Sequence, residues 1–137
     1  MDDRAFLRGV SERLECDERR AESVAFLVLQ ELRDRLTPAE RRDVEAQLPK
    51  PLKRLWAAGE RREQPPSRVR RDEFVGRVRQ RAVLPDDAEA ERAVRAVFAQ
   101  LQALLGSATG REGEAWDIYS QLPKDLKALW LDSSRTL

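Results

Sequence analysis

Apolar side chains recur at helical spacing along most of this chain, and the same ladder is written twice. Phe6, Leu7 and Val10 open a short one-sided stretch that runs toward Leu14, and Phe74, Val75 and Val78 open another toward Ala82. Ala21, Val24, Ala25, Val28, Leu29, Leu32 and Leu36 then follow at three- and four-residue steps, the spacing that lines one face of an α-helix. Phe26 and Leu27 widen this stripe, so a helix from about Glu18 to Leu36 is expected to be central and largely buried. Its counterpart runs from about Asp87 to Leu105, behind Asp86 and Glu89, a carboxylate pair spaced like a capping box.

Turn chemistry sets the remaining boundaries. Asp3 and Asp72 stand where acidic side chains would cap the first helix of each ladder. Thr37-Pro38-Ala39-Glu40 combines a capping hydroxyl, a proline at the first helical position and a glutamate at the third, so a third helix is expected from there to about Gln47. Pro49 stops it by forcing the preceding residue out of helical geometry, and a short helix restarts over Pro51 to Ala58. Leu52, Leu55 and Trp56 share one face of that helix, which is expected to close the end of its unit by packing.

The register between the two ladders is fixed by a repeated decapeptide. Gln47-Leu48-Pro49-Lys50-Pro51-Leu52-Lys53-Arg54-Leu55-Trp56 returns as Gln121-Leu122-Pro123-Lys124-Asp125-Leu126-Lys127-Ala128-Leu129-Trp130 with eight of ten positions identical. Ala21, Glu22, Val28, Leu32 and Leu36 match Ala90, Glu91, Val97, Leu101 and Leu105, so the offset grows from 68 through 69 to 74 along the chain. The last step places an insertion in the glycine-rich residues 106–113. Self-similarity in the same order of elements is read as internal repetition. The expected fold is all-α: two pseudo-symmetric repeats of about four helices each, residues 1–58 and 72–137, joined by the Pro/Arg-rich linker 59–71. About 55 residues bury little core alone, so the halves are expected to pack into one bundle.

Composition narrows the function classes. Charged residues make up 37% of the chain and aromatic ones 6%, a balance that suits helices with solvated faces and disfavours sheets. The formal net charge of +1 lacks the footprint of a dedicated nucleic-acid binder. Cys16 is the sole cysteine, which rules out an internal disulfide and fits a reducing compartment. No run of 18 apolar residues and no export signal is found, so the expectation is a cytoplasmic protein without a membrane segment.

With no histidine anywhere, Ser-His-Asp and Cys-His nucleophiles and histidine-based metal sites are excluded. Cys16 precedes a helix start, but Glu15, Asp17 and Glu18 would raise its pKa, so it is read as a passive, partly buried thiol. Glu22 and Glu91 occupy matching positions on the two long helices and are read as helix-face charges or partners of Arg19 and Arg95. Residues 106–113 carry glycines, but the spacing and the preceding helix do not fit a phosphate-binding loop. No catalytic, cofactor-binding or metal-binding residue is assigned.

Two features remain. Trp116 and Tyr119 stand one turn apart on the third helix of the second half, where the first half has Arg42 and Glu45; large amphipathic side chains in place of charges mark a candidate partner surface. The run from Arg68 to Arg81 holds Arg68, Arg70, Arg71, Arg77, Arg79 and Arg81 against Asp72 and Glu73, and Arg68, Arg70, Arg71, Arg77 and Arg81 are the candidate contacts for nucleic-acid phosphate.

The closing Gln-Leu-Pro-Lys-x-Leu-Lys-x-Leu-Trp in both halves, with the leading Phe and the Ala-Glu ladder, resembles the bacterial family catalogued as domain of unknown function 2267. The resemblance spans nearly the whole chain and implies an all-helical bundle; it brings no catalytic residues, and the glycine-rich insertion departs from its pattern. The resulting reading is a non-catalytic interaction or scaffold module that binds an unknown protein partner or itself, without cofactor. The alternative is a helical nucleic-acid binder using the arginine run.

Overall fold

The computed structural model describes residues 2–58, 70–105 and 114–135. Among the described residues it consists of eight helices and no strand: α1 (Asp3–Leu14), α2 (Glu18–Arg33), α3 (Pro38–Gln47), α4 (Lys50–Ala57), α5 (Arg71–Ala82), α6 (Asp87–Leu105), α7 (Glu114–Gln121) and α8 (Lys124–Arg135). None of these helices is long and apolar enough to cross a membrane.

Local chemistry accounts for most of the boundaries. Thr37 Oγ1 accepts from the Glu40 amide at 3.2 Å with Pro38 in the first turn, as the sequence predicts. Asp17 and Asp86 accept from Arg20 and Glu89 amides at 2.8 Å and start the two long helices. The first helices differ from expectation. Asp2, not Asp3, caps α1 by accepting from Ala5 N–H, while α5 starts at Arg71 with Arg70 as a cap that makes no side-chain bond, leaving Asp72 inside the first turn. Helix α5 therefore takes in the last residue of the stretch read as linker.

Helix α2 ends at Arg33, three residues before the apolar ladder does. The Arg35 and Leu36 amides donate to Leu32 and Arg33 carbonyls, tightening the chain into a turn that still delivers Leu36 to the core. Helices α1 and α5 both close on a residue in the left-handed region, Glu15 at φ 53° and Val83 at φ 54°. A β-branched side chain is costly there, and Val83 is also 84% exposed.

The long helices form the centre. The buried faces of α2 and α6 pack on each other, and the flanking helices cross over between halves: α1 lies against α2 and α6, and α5 against α6 and α2. Helix α4 covers α2, α8 covers α6, and α3 meets α7. The resulting core runs continuously from Phe6 to Trp130. Gly9 leaves room for a side chain of α6, because a Cβ there would stand 2.2 Å from the Gln100 side-chain oxygen.

Trp56 and Trp130 are each 1% exposed and close their halves as the decapeptide implies. Trp56 Nε1 donates to the Arg41 carbonyl at 3.0 Å, and Phe98 links Phe74 and Trp130 through ring centroids 5.9 and 4.9 Å away. Two buried amides secure the backbone beneath. Gln30 Nε2 donates to the Leu55 and Trp56 carbonyls, and Gln102 Nε2 to the Trp130 carbonyl, each within 2.9 Å. Leaving such buried acceptors unpaired would cost about 1–3 kcal/mol each.

The two helical glycines therefore have opposite expectations. Nothing lies within 4 Å of a Cβ at Gly76, so Gly76→Ala is expected to raise stability by about 0.5–1 kcal/mol in urea denaturation. Gly9→Val is expected to lower it by about 1–3 kcal/mol, because the buried Gln100 side chain must be displaced.

Candidate functional site

Four arginines of the run lie on α5, and Arg71, Arg77, Arg79 and Arg81 each face a carboxylate of the same molecule. Glu31 on α2 is the centre of this arrangement. Its side chain is 4% exposed and receives Arg81 Nη1 at 3.0 Å and Arg77 Nη1 at 3.8 Å, both one turn apart on α5. Arg79, on another face, stands 2.9 Å from Asp87, and Arg71 pairs with Glu91 while donating its amide to Asp125 at 2.9 Å. Glu91 is also held by Arg95 at 3.9 Å, whereas Glu22 is exposed. Arg70 is exposed at the start of α5, and Arg68 lies outside the described residues.

Arg35 is buried near Glu31, and burial pulls its guanidinium below the ordinary value while Glu31 opposes that pull. The sequence displays Glu31 openly, but in the middle of a helix that is apolar on most faces. A carboxylate in that setting requires a cationic partner, since an uncompensated buried charge is far more costly than a solvated one. Its partners lie 46 and 50 residues away, beyond the reach of any local pattern.

The second candidate lies on α7. Ala115, Ile118 and Leu122 are buried, while Trp116 and Tyr119 flank them as a half-buried pair with ring centroids 4.9 Å apart. Tyr119 rests on the edge of the core, and Lys127 of α8 holds its ammonium 5.4 Å from the Tyr119 ring centre, within cation–π range. Tyr119 and Gln121 lie on the helix that meets α3, where Gln121 accepts from the Thr37 amide at 3.0 Å. The glycine-rich residues 106–113 that precede α7 lie outside the described residues.

A family model described as "Uncharacterized conserved protein (DUF2267)" matches residues 3–129. The chain belongs to the DUF2267 family. No curated protein matches it. The family assignment covers all eight helices at least in part and assigns no chemistry to any residue of this DUF2267 chain.

Among the described residues of this DUF2267 protein, no group of three or more histidine, cysteine or carboxylate side chains is placed to hold a metal ion. Cys16 is half-buried between α1 and α2, and the Ser11 hydroxyl donates to its carbonyl. Burial raises its thiol pKa and Asp17 adds to the rise, against the opposing pull of Arg20 and Arg92. Of the three acidic neighbours expected to raise it, Asp17 does so, and desolvation is the larger cause.

Glu31→Gln is expected to cost about 1–3 kcal/mol in thermal or urea unfolding, as Arg77 and Arg81 lose a buried carboxylate. Arg79→Ala, which breaks a solvated pair, should cost no more than about 1 kcal/mol. Alkylation of Cys16 should proceed more slowly in the native protein than in urea at pH 8, because the thiolate is the reacting form and the fold disfavours it. The gap should narrow as pH rises through the elevated native pKa, the same range in which this thiol's contribution to stability is lost.

Proposed function

We propose that this chain is a bacterial, cytoplasmic interaction module without catalytic activity of its own. It binds a protein partner, or a second copy, through the side of α7 that carries Trp116 and Tyr119. The observation that carries this reading is the aromatic pair itself: two half-buried amphipathic rings stand where the first half has the exposed Arg42 and the half-buried Glu45. Aromatic side chains of this kind supply large contact area at low entropic cost and dominate binding surfaces. Lys127 beside Tyr119 gives the patch a polar rim.

The same proposal treats the two halves as copies of one unit about a pseudo-twofold axis. Its support is the repeated decapeptide and the crossed packing, in which α1 meets α6 as α5 meets α2. Nucleic-acid contact through the arginine run is the less favoured reading, because Arg71, Arg77, Arg79 and Arg81 already face carboxylates. Phosphates would have to compete with partners fixed by the fold.

The test replaces both rings by the residues of the first half, Trp116→Arg with Tyr119→Glu. Helical circular dichroism is expected to be unchanged, while a partner retained by the wild-type protein in pull-down from the native host, or a self-associated species in sedimentation, is lost. Loss of the helical signal would identify the pair as core and end the proposal. Salt-sensitive binding of DNA or RNA in fluorescence anisotropy would favour the arginine reading instead.

A further inference from the structure

Lysine is confined to one motif in this protein. Of the 26 basic residues, 22 are arginine, and the four lysines are Lys50, Lys53, Lys124 and Lys127, the two matched pairs of the repeated decapeptide. Elsewhere cationic positions differ freely between the halves. In the register of the two ladders, only Arg13 among the ten arginines of residues 1–58 meets another arginine, Arg81. Both lysines of the first half meet lysines.

Packing explains only part of this. Lys53 and Lys127 are half-buried, and Lys127 stands over the Tyr119 ring. Lys50 and Lys124 are exposed, make no ion pair among the described residues, and open α4 and α8. A cation in a first helical turn opposes the helix dipole, so helix stability does not account for the residue type. An exposed arginine would carry the same charge. What lysine adds is an amine able to form a covalent bond, the property that separates it from a permanently charged guanidinium.

Lys124 also has room beside it. With Arg70, Pro123, Asp125 and Ala128 it lines an open cleft of about 550 Å³ between the starts of α5 and α8. The Asp125 carboxylate is occupied within the wall, accepting from the Arg71 and Leu126 amides at 2.9 Å. Arg70 is exposed at the rim with no ion-pair partner among the described residues. A guanidinium and an amine on one cleft are a suitable arrangement for a small donor with an anionic head.

We infer that Lys50 and Lys124 are matched sites of lysine acylation, and that Lys124 is the faster because Arg70 holds the anionic group of an acyl phosphate beside it. Once the ammonium has given a proton to solvent, its nitrogen attacks the acyl carbon. The N–C bond forms, the bond from the acyl carbon to the phosphate oxygen breaks, and inorganic phosphate leaves with the second proton of the amine. The product is a neutral amide at the first turn of α8, where the positive charge has been removed.

The test uses the full chain with acetyl phosphate and follows each lysine by mass spectrometry. Lys124 is expected to acetylate several-fold faster than Lys53 and Lys127 in the native protein, with the difference abolished in urea. Arg70→Gln should slow Lys124 several-fold and leave Lys50 unchanged, so that Lys50 reports whether the variant is folded. Equal rates at Lys124, Lys53 and Lys127, or a Lys124 rate indifferent to Arg70→Gln in a protein whose Lys50 rate is normal, would overturn the assignment. A variant in which the Lys50 rate also changes is replaced by Arg70→Ala, read by the same two rates.

Discussion

The structure rests on apolar burial between halves. The first helix of each half packs chiefly on the long helix of its own half and on that of the other, and the second contact completes the core around α2 and α6. A unit of this size removes too little surface from water to offset its conformational entropy alone. Crossed packing solves the problem by making each half the missing wall of the other. The contact at Gly9, where a single extra carbon would meet Gln100, shows how closely α1 has to approach α6 for this to work.

Charge is organised around the same seam. Glu31 is buried where α5 crosses α2, and two of the arginines that sequence alone would aim at an external phosphate, Arg77 and Arg81, pair with it. Arg20 and Arg92 extend the pattern by donating to the Ala82 and Arg13 carbonyls, at the ends of first helices belonging to the opposite halves. Arg70 and Lys124 are among the cations left exposed.

Much of this was legible in residue pattern. Thr37, Pro38 and Glu40 declared α3, the ladder from Ala21 to Leu32 declared the central helix, and the decapeptide declared the positions of Trp56 and Trp130. Local signals failed where a competing local geometry was available. Leu36 continues the apolar spacing but reaches the core from a turn, and Arg70 occupies a cap position for which Asp72 is chemically better suited. The candidate sites were legible as residue types and not as relations: an arginine run can be counted, but the carboxylates that face it lie on other helices, and Glu31 comes from the other half of the chain. For Trp116 and Tyr119, the exchange of charge for ring was visible, while their partial burial and the nearby Lys127 depend on how α7 and α8 pack.

Crossed packing has a temporal consequence during synthesis. Arg92 reaches Arg13 across 79 residues, so the surface of α1 that α6 covers is made well before its cover exists. At ordinary ribosomal speeds that interval is roughly 4–16 s. Throughout it, the leading helices carry an uncompleted greasy face outside the exit tunnel, where neighbouring nascent chains or holding chaperones compete with the chain's own C-terminal portion.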